Sequence, residues 1–157
     1  MERPLRTLIV EDSENDAELL LRALRSHGYE PVSERVDTPE AMARALARQT
    51  WDIIISDYAM PRFSGLDALK LMQDKRLDLP FIIVSGTIGE DIAVGAMKQG
   101  AHDYIMKNST ARLIPAIERE LKEAQARRER REAQEQVRLL AYYDPITGLP
   151  NRAQLLE

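Results

Sequence analysis

Short apolar runs alternate with helical stretches along most of this chain, and that alternation restricts its fold more than any other feature. Leu5 to Val10 (LRTLIV), Trp51 to Ser56 (WDIIIS) and Pro80 to Ser85 (PFIIVS) are apolar and rich in β-branched residues. Runs of this length without polar alternation read as strands buried on both faces. Glu30 to Val36 is more polar and reads as an edge strand, and Asp103 to Met106 as a short last one. The stretches between them carry helix signals. Ser13 to His27 has acids in its first turn and stops at Gly28. Thr38-Pro39-Glu40 places an N-cap before a proline at the first helical position, opening a helix to Arg48. Leu66 to Lys75 and Gly89 to Gln99 are helical, the latter ending at Gly100, and a longer helix runs from Ser109 through Tyr142.

Five strands alternating with five helices predict an open parallel sheet covered on both faces. Ligands of such sheets sit beyond the carboxyl ends of the strands, where the winding reverses. The residues at those ends are Glu11 and Asp12 after strand one, Asp57 after strand three, Ser85 on strand four and Lys107 after strand five.

If strands one and three are neighbours, Glu11, Asp12 and Asp57 converge. Carboxylates crowded into one cleft raise each other's pKa unless a cation joins them. No His or Cys lies near them, which points away from a transition metal and toward a hard, oxygen-liganded ion such as Mg²⁺. Lys107 adds a positive charge and Ser85 a hydroxyl donor. A carboxylate nucleophile with Mg²⁺, a lysine and a hydroxyl around it is suited to accept a phosphoryl group. Taken singly, each of these residues is more often a helix cap, a solvated acid or a surface lysine. Their joint placement at the ends of one sheet is what points to a site.

Two other sites on such a sheet fit less well. A nucleotide site needs a phosphate cradle after strand one, and EDSEND there would repel a phosphate. GxGxxG and P-loop patterns are absent. A Mg²⁺-dependent phosphatase with an aspartyl nucleophile usually carries that nucleophile after the first strand in a DxD pattern, which this sequence lacks.

From Leu5 to Ile117 the chain resembles the receiver domain of bacterial two-component response regulators. The resemblance rests on LIVED with Glu11 and Asp12, IIISDYAMPRFSG with Asp57, IIVSGT with Ser85, and GAHDYIMK with Tyr104 and Lys107. It implies a flavodoxin-like, doubly wound five-stranded parallel sheet of order 2-1-3-4-5, with an extended C-terminal helix. It implies that Asp57 takes a phosphoryl group from a sensor histidine kinase or phosphotransfer protein. Glu11, Asp12, Asp57 and the backbone carbonyl of Ala59 would hold Mg²⁺. Ser85 and Lys107 would bind the phosphoryl oxygens, and Ser85 and Tyr104 would act as the switch. The family usually has a cis-proline after the lysine. Asn108 stands there instead, and a trans Lys107–Asn108 peptide is expected because a cis bond without proline costs about 3 kcal/mol.

Charge marks the domain organisation. Glu118 to Arg138 holds 13 of the 48 charged residues. The expected division is a receiver domain over 1–117, a charged helical or coiled-coil linker over 118–143, and a third piece over 144–157. YYDPITGLPNRAQLLE in that last piece resembles the opening of a GGDEF domain, the diguanylate cyclase fold. The chain thus reads as part of a longer receiver–GGDEF regulator of cyclic-di-GMP, with an EAL domain a further candidate beyond. A stand-alone signalling or adaptor module is the alternative. In the linker, Ile114, Ile117, Leu121 and Ala124 form one heptad stripe. Ala126, Ala133, Val137 and Leu140 form another, out of register with the first. Homodimerisation through this helix is expected. Arg127, Arg128, Arg130 and Arg131 are interspersed with glutamates, which argues against a nucleic-acid patch, as does the net charge of −4. The sequence holds no apolar run long enough to span a membrane, no signal peptide and no cysteine, and a cytoplasmic location is expected.

Overall fold

The computed structural model describes residues 3–86 and 89–142. Five strands and five helices alternate: β1 (Arg3–Val10), α1 (Glu14–Ser26), β2 (Tyr29–Val36), α2 (Pro39–Arg48), β3 (Ile53–Asp57), α3 (Gly65–Asp74), β4 (Phe81–Ser85), α4 (Glu90–Lys98), β5 (Asp103–Met106) and α5 (Thr110–Tyr142). The strands form one sheet of order β2-β1-β3-β4-β5, and every pairing is parallel. This is the doubly wound arrangement expected from the sequence, with the polar β2 at one edge.

Alternation along the strands feeds two apolar layers. Leu8, Val10, Ile54, Phe81 and Ile83 pack on one face with Met42, Leu69, Met72 and Ala96 of α2, α3 and α4. Leu5, Ile53, Ile55, Ile82 and Ile105 pack on the other with Leu24 of α1 and Leu113 and Ile117 of α5. Neighbouring strand residues thus serve opposite faces, so all of IIIS is apolar or small.

Local chemistry sets the helix starts. Ser13 accepts from the Asp16 N–H and Thr38 from the Ala41 N–H. Ser64 and Asp67 form a reciprocal capping box at the start of α3. Gly28 ends the α1 turn with φ 88°, a conformation that costs a Cβ-bearing residue.

Several boundaries and one assignment differ from the sequence reading. Trp51 lies outside β3, and its indole N–H donates to the Ala45 carbonyl at 2.9 Å, tying it to the end of α2. Asp57 is the last residue of β3 rather than the first of the loop. β2 begins at Tyr29, whose ring also receives the Arg3 guanidinium at 4.2 Å. Ile114 and Ile117 are buried within the domain, and Leu121 packs against the same layer. They already have partners there, so they cannot form the first half of an intermolecular stripe.

The chain divides into two units, Met1–Leu121 and Lys122–Glu157. In the second, the described helix carries local pairs such as Arg138 with Glu135 at 2.6 Å. Its Val137, Leu139 and Leu140 are exposed. The GGDEF-like stretch, 144–157, lies outside the described residues, as do the predicted helix stop at Asp144-Pro145 and the cap at Asn151.

Candidate functional site

Strand register brings the sequence-predicted acids together. Val10 pairs with Ser56 across β1 and β3, so Glu11 follows beside Asp57. The Glu11 N–H donates to the Val36 carbonyl at 2.9 Å, and Arg35 Nη1 donates to the Glu11 carbonyl at 3.2 Å, anchoring the end of β1. Glu11, Asp12 and Asp57 each offer a carboxylate oxygen, and these oxygens all lie within 4.8 Å of one another. Glu11 and Asp57 are buried and Asp12 is exposed, so the group opens to solvent on one side.

Lys107 enters from the end of β5. Its backbone N–H donates to the Ser85 carbonyl at 2.8 Å, fixing the loop against β4. Its Nζ lies 3.6 Å from Asp57 Oδ1, 3.1 Å from Glu11 Oε2 and 2.5 Å from Asp16 Oδ2. The peptide after it is trans, as is every peptide bond among the described residues.

Electrostatics follow from that crowding. Burial pushes the Glu11 pKa up to about 7; the Asp57 charge adds to the rise, while the Ser13 N–H and Lys107 oppose it. Burial also raises the Asp57 pKa, against the pull of Lys107 and the backbone N–H groups of Tyr58 and Ala59. Burial disfavours the Lys107 ammonium, but its bonds to Asp16 and Glu11 and the charges of Glu11 and Asp57 outweigh this and raise its pKa. The site therefore holds more negative charge than its one lysine neutralises.

The remaining predicted residues sit on adjoining strand ends. Ser85 is buried at the end of β4, one residue beyond Val84, which pairs with Asp57. Tyr104 on β5 pairs with Ile83, and its ring meets that of Tyr58 edge-on. Ala59 is exposed two residues after Asp57. The loop after β3 turns back so tightly that a Cβ on Gly65 would lie 2.6 Å from the Asp57 carbonyl oxygen.

Sequence reasoning missed two participants. Asp16 is the nearest acid to Lys107, although the two are 91 positions apart in the sequence. Tyr58 is the ring that Tyr104 touches. A cleft of about 70 Å³ adjoins the acids, lined by Asp16, Ala17, Leu20, Val84, Lys107 and Leu113 among others.

Residues 7–118 match the response regulator receiver domain. The chain belongs to this family. It is 37% identical over 109 residues to the response regulator protein FleR of Pseudomonas aeruginosa, an alignment covering 69% of this chain and 23% of FleR. It is 30% identical over 112 residues to the chemotaxis protein CheY1 of Helicobacter pylori, covering 70% of this chain and 90% of CheY1. Thus the chain spans less than a quarter of FleR but most of CheY1. The signal receiver domain of a Luxo repressor protein from Vibrio parahaemolyticus superimposes with a TM-score of 0.70 at 27% identity, covering 79% of this chain and 95% of that one. The receiver fold and its five-stranded order are therefore shared, and Glu11, Asp12, Asp57, Ser85 and Lys107 lie at or just beyond the ends of its strands. Among the described residues, no helix is long and apolar enough to cross a membrane.

Proposed function

We propose that this receiver accepts a phosphoryl group on Asp57 from a sensor histidine kinase or phosphotransfer protein. The observation that carries the reading is the meeting of Glu11, Asp12 and Asp57 oxygens within 4.8 Å, with the Lys107 ammonium 3.6 Å from Asp57. An Asp57 oxygen attacks phosphorus, the new O–P bond forms, and the bond from phosphorus to the donor breaks with the donor leaving. Lys107 and the Ser85 hydroxyl take the phosphoryl oxygens, replacing water with fixed donors.

The donor set suits Mg²⁺. It consists of hard carboxylate oxygens with no sulfur or imidazole among them, and two of the three acids are buried away from water. Glu11, Asp12, Asp57 and the Ala59 carbonyl would hold the ion. When bound, it supplies charge neutralisation for the transferring group. Tyr104 and Ser85 would report the phosphoryl group to the α4–β5 side of the domain.

The further organisation follows the sequence. Residues 1–117 form the receiver, 118–143 a linker that pairs two copies, and 144–157 the opening of a GGDEF output in a cytoplasmic regulator of cyclic-di-GMP. DPITGLPNR supports that last assignment, while the GGDEF signature itself does not occur in these 157 residues.

Treatment with acetyl phosphate and Mg²⁺ tests the acceptor. The wild type should gain the mass of one phosphoryl group and Asp57→Asn should not. Equal labelling of the two proteins would remove Asp57 from this role.

A further inference from the structure

We propose that Asp16 is a positioning residue that holds Lys107 in the unphosphorylated protein and thereby weakens the hold of the Asp57 site on a phosphoryl group. The inference rests on the acceptor reading of Asp57 and adds a competitor to it.

The geometry makes Asp16 the first partner of the lysine. Lys107 Nζ is 2.5 Å from Asp16 Oδ2, 3.1 Å from Glu11 Oε2 and 3.6 Å from Asp57 Oδ1. The first is a short charge-assisted hydrogen bond, while the last is beyond ordinary hydrogen-bonding range and is Coulombic. An ammonium has three donors, and here two are directed at acids other than the acceptor.

Asp16 is held in place by the start of α1. Its backbone N–H donates to Ser13 Oγ at 3.2 Å, and the Ser13 N–H donates to Glu11 Oε1 at 3.1 Å. One chain of hydrogen bonds therefore fixes the Glu11 carboxylate and the backbone that carries Asp16. The Lys107 and Asp16 side chains are 28% and 37% exposed, so the pair can part without stranding a buried charge. A pair this exposed adds little to stability. Its consequence lies in binding, because a phosphoryl group on Asp57 needs the same ammonium. A cation held by Glu11, Asp12 and Asp57 would draw Glu11 away from the lysine and leave Asp16 as the remaining competitor.

The expected signature is a gain in affinity on removing an acid. With Mg²⁺ present, beryllofluoride stands in for the phosphoryl group and its affinity is read by calorimetry on the full chain. Asp16→Asn should bind it about three- to fivefold more tightly than wild type, the upper part of the range for an exposed ion pair. Asp16→Glu, which restores the charge, should return to within about twofold of wild type. Glu14→Gln removes an acid from the same helical turn, one that pairs instead with Arg35 at 3.4 Å, and should leave the affinity unchanged. The ammonium resonance of Lys107 should exchange faster in Asp16→Asn without beryllofluoride, a change that loss of helix capping alone would not cause.

Unchanged or weaker binding by Asp16→Asn overturns the inference. So does an equal gain in Glu14→Gln, which would reduce the effect to general charge. Asp16→Ser provides the same test should Asp16→Asn fold poorly. Failure of the wild type to bind beryllofluoride, or equal binding by Asp57→Asn, would instead remove the acceptor reading itself.

Discussion

The rings of Tyr58 and Tyr104 meet edge-on, with centroids 6.2 Å apart and planes at 63°. Tyr58 follows Asp57 directly, and its N–H faces the Asp57 carboxylate. The ring on β5 is therefore in contact with the residue next to the acceptor. Edge-to-face pairs contribute about 0.5–1.5 kcal/mol beyond their burial. Urea unfolding of Tyr58→Leu, Tyr104→Leu and the double variant should give a coupling energy in that range. Additive losses would show that the two rings do not support each other.

The acids give the metal-free protein an unusual pH dependence. Burial raises the Glu11 pKa from 4.5 to about 7, so the folded state binds this proton more tightly than the unfolded chain does. Its contribution to stability is complete below pH 4.5 and is lost as pH rises through 7. The loss is at most about 3 kcal/mol, at 1.36 kcal/mol per pKa unit. Other carboxylates titrate over the same range, so the comparison is with Glu11→Gln. Relative to that variant, wild type should lose stability between pH 4.5 and 7 without Mg²⁺, and the trend should shrink when Mg²⁺ is added. Parallel stability profiles for the two proteins would contradict the buried, uncompensated carboxylate.

Much of this site was legible because its residues lie at ends that strand periodicity defines. LRTLIV, WDIIIS and PFIIVS could be placed because both faces of each strand are buried, and their ends then located Glu11, Asp12, Asp57 and Ser85. Asp16 was not legible. On a helix whose first turn is rich in acids, one more carboxylate reads as a favourable interaction with the helix dipole. Only the tertiary fold, which carries the Lys107 side chain from the end of β5 to the start of α1, brings the two together. Trp51 was misread for a related reason: it adjoins an apolar run, but its N–H needs a partner and finds one in the Ala45 carbonyl. Ile114 and Ile117 fit a heptad and also fit the helix face that covers a sheet, and periodicity does not separate these uses.

Gly65 is required by a close approach rather than by a left-handed turn. Its missing Cβ would lie 2.6 Å from the Asp57 carbonyl oxygen and 3.1 Å from the Tyr58 Cα, both backbone atoms that cannot swing aside. Gly65→Ala must therefore push α3 away from the end of β3. Overpacking of this kind costs about 1–3 kcal/mol. Since the displaced backbone carries Asp57, beryllofluoride affinity should fall together with the urea midpoint. A variant with wild-type values of both would show that the loop yields freely.

Two copies of the chain should pair through the second unit. Ile114 and Ile117 are already buried within the domain, so the seam must be built from Ala126, Ala133, Val137 and Leu140. Val137 is 66% exposed and Leu140 59%, so both leave apolar surface in water that a second copy would cover. An isolated helix of this length is only marginally stable in water, so burying those side chains against a second copy would stabilise it. Alanines in place of larger residues at two of the four positions, with arginines between them, predict a weak dimer whose affinity rises when salt screens the like charges. Light scattering should give a dimer for the full chain at high protein concentration and a monomer for a version ending at Leu121. Val137→Asp should shift the full chain toward monomer without lowering the urea midpoint of the receiver. A full chain that stays monomeric at every concentration and salt level would eliminate the coiled coil.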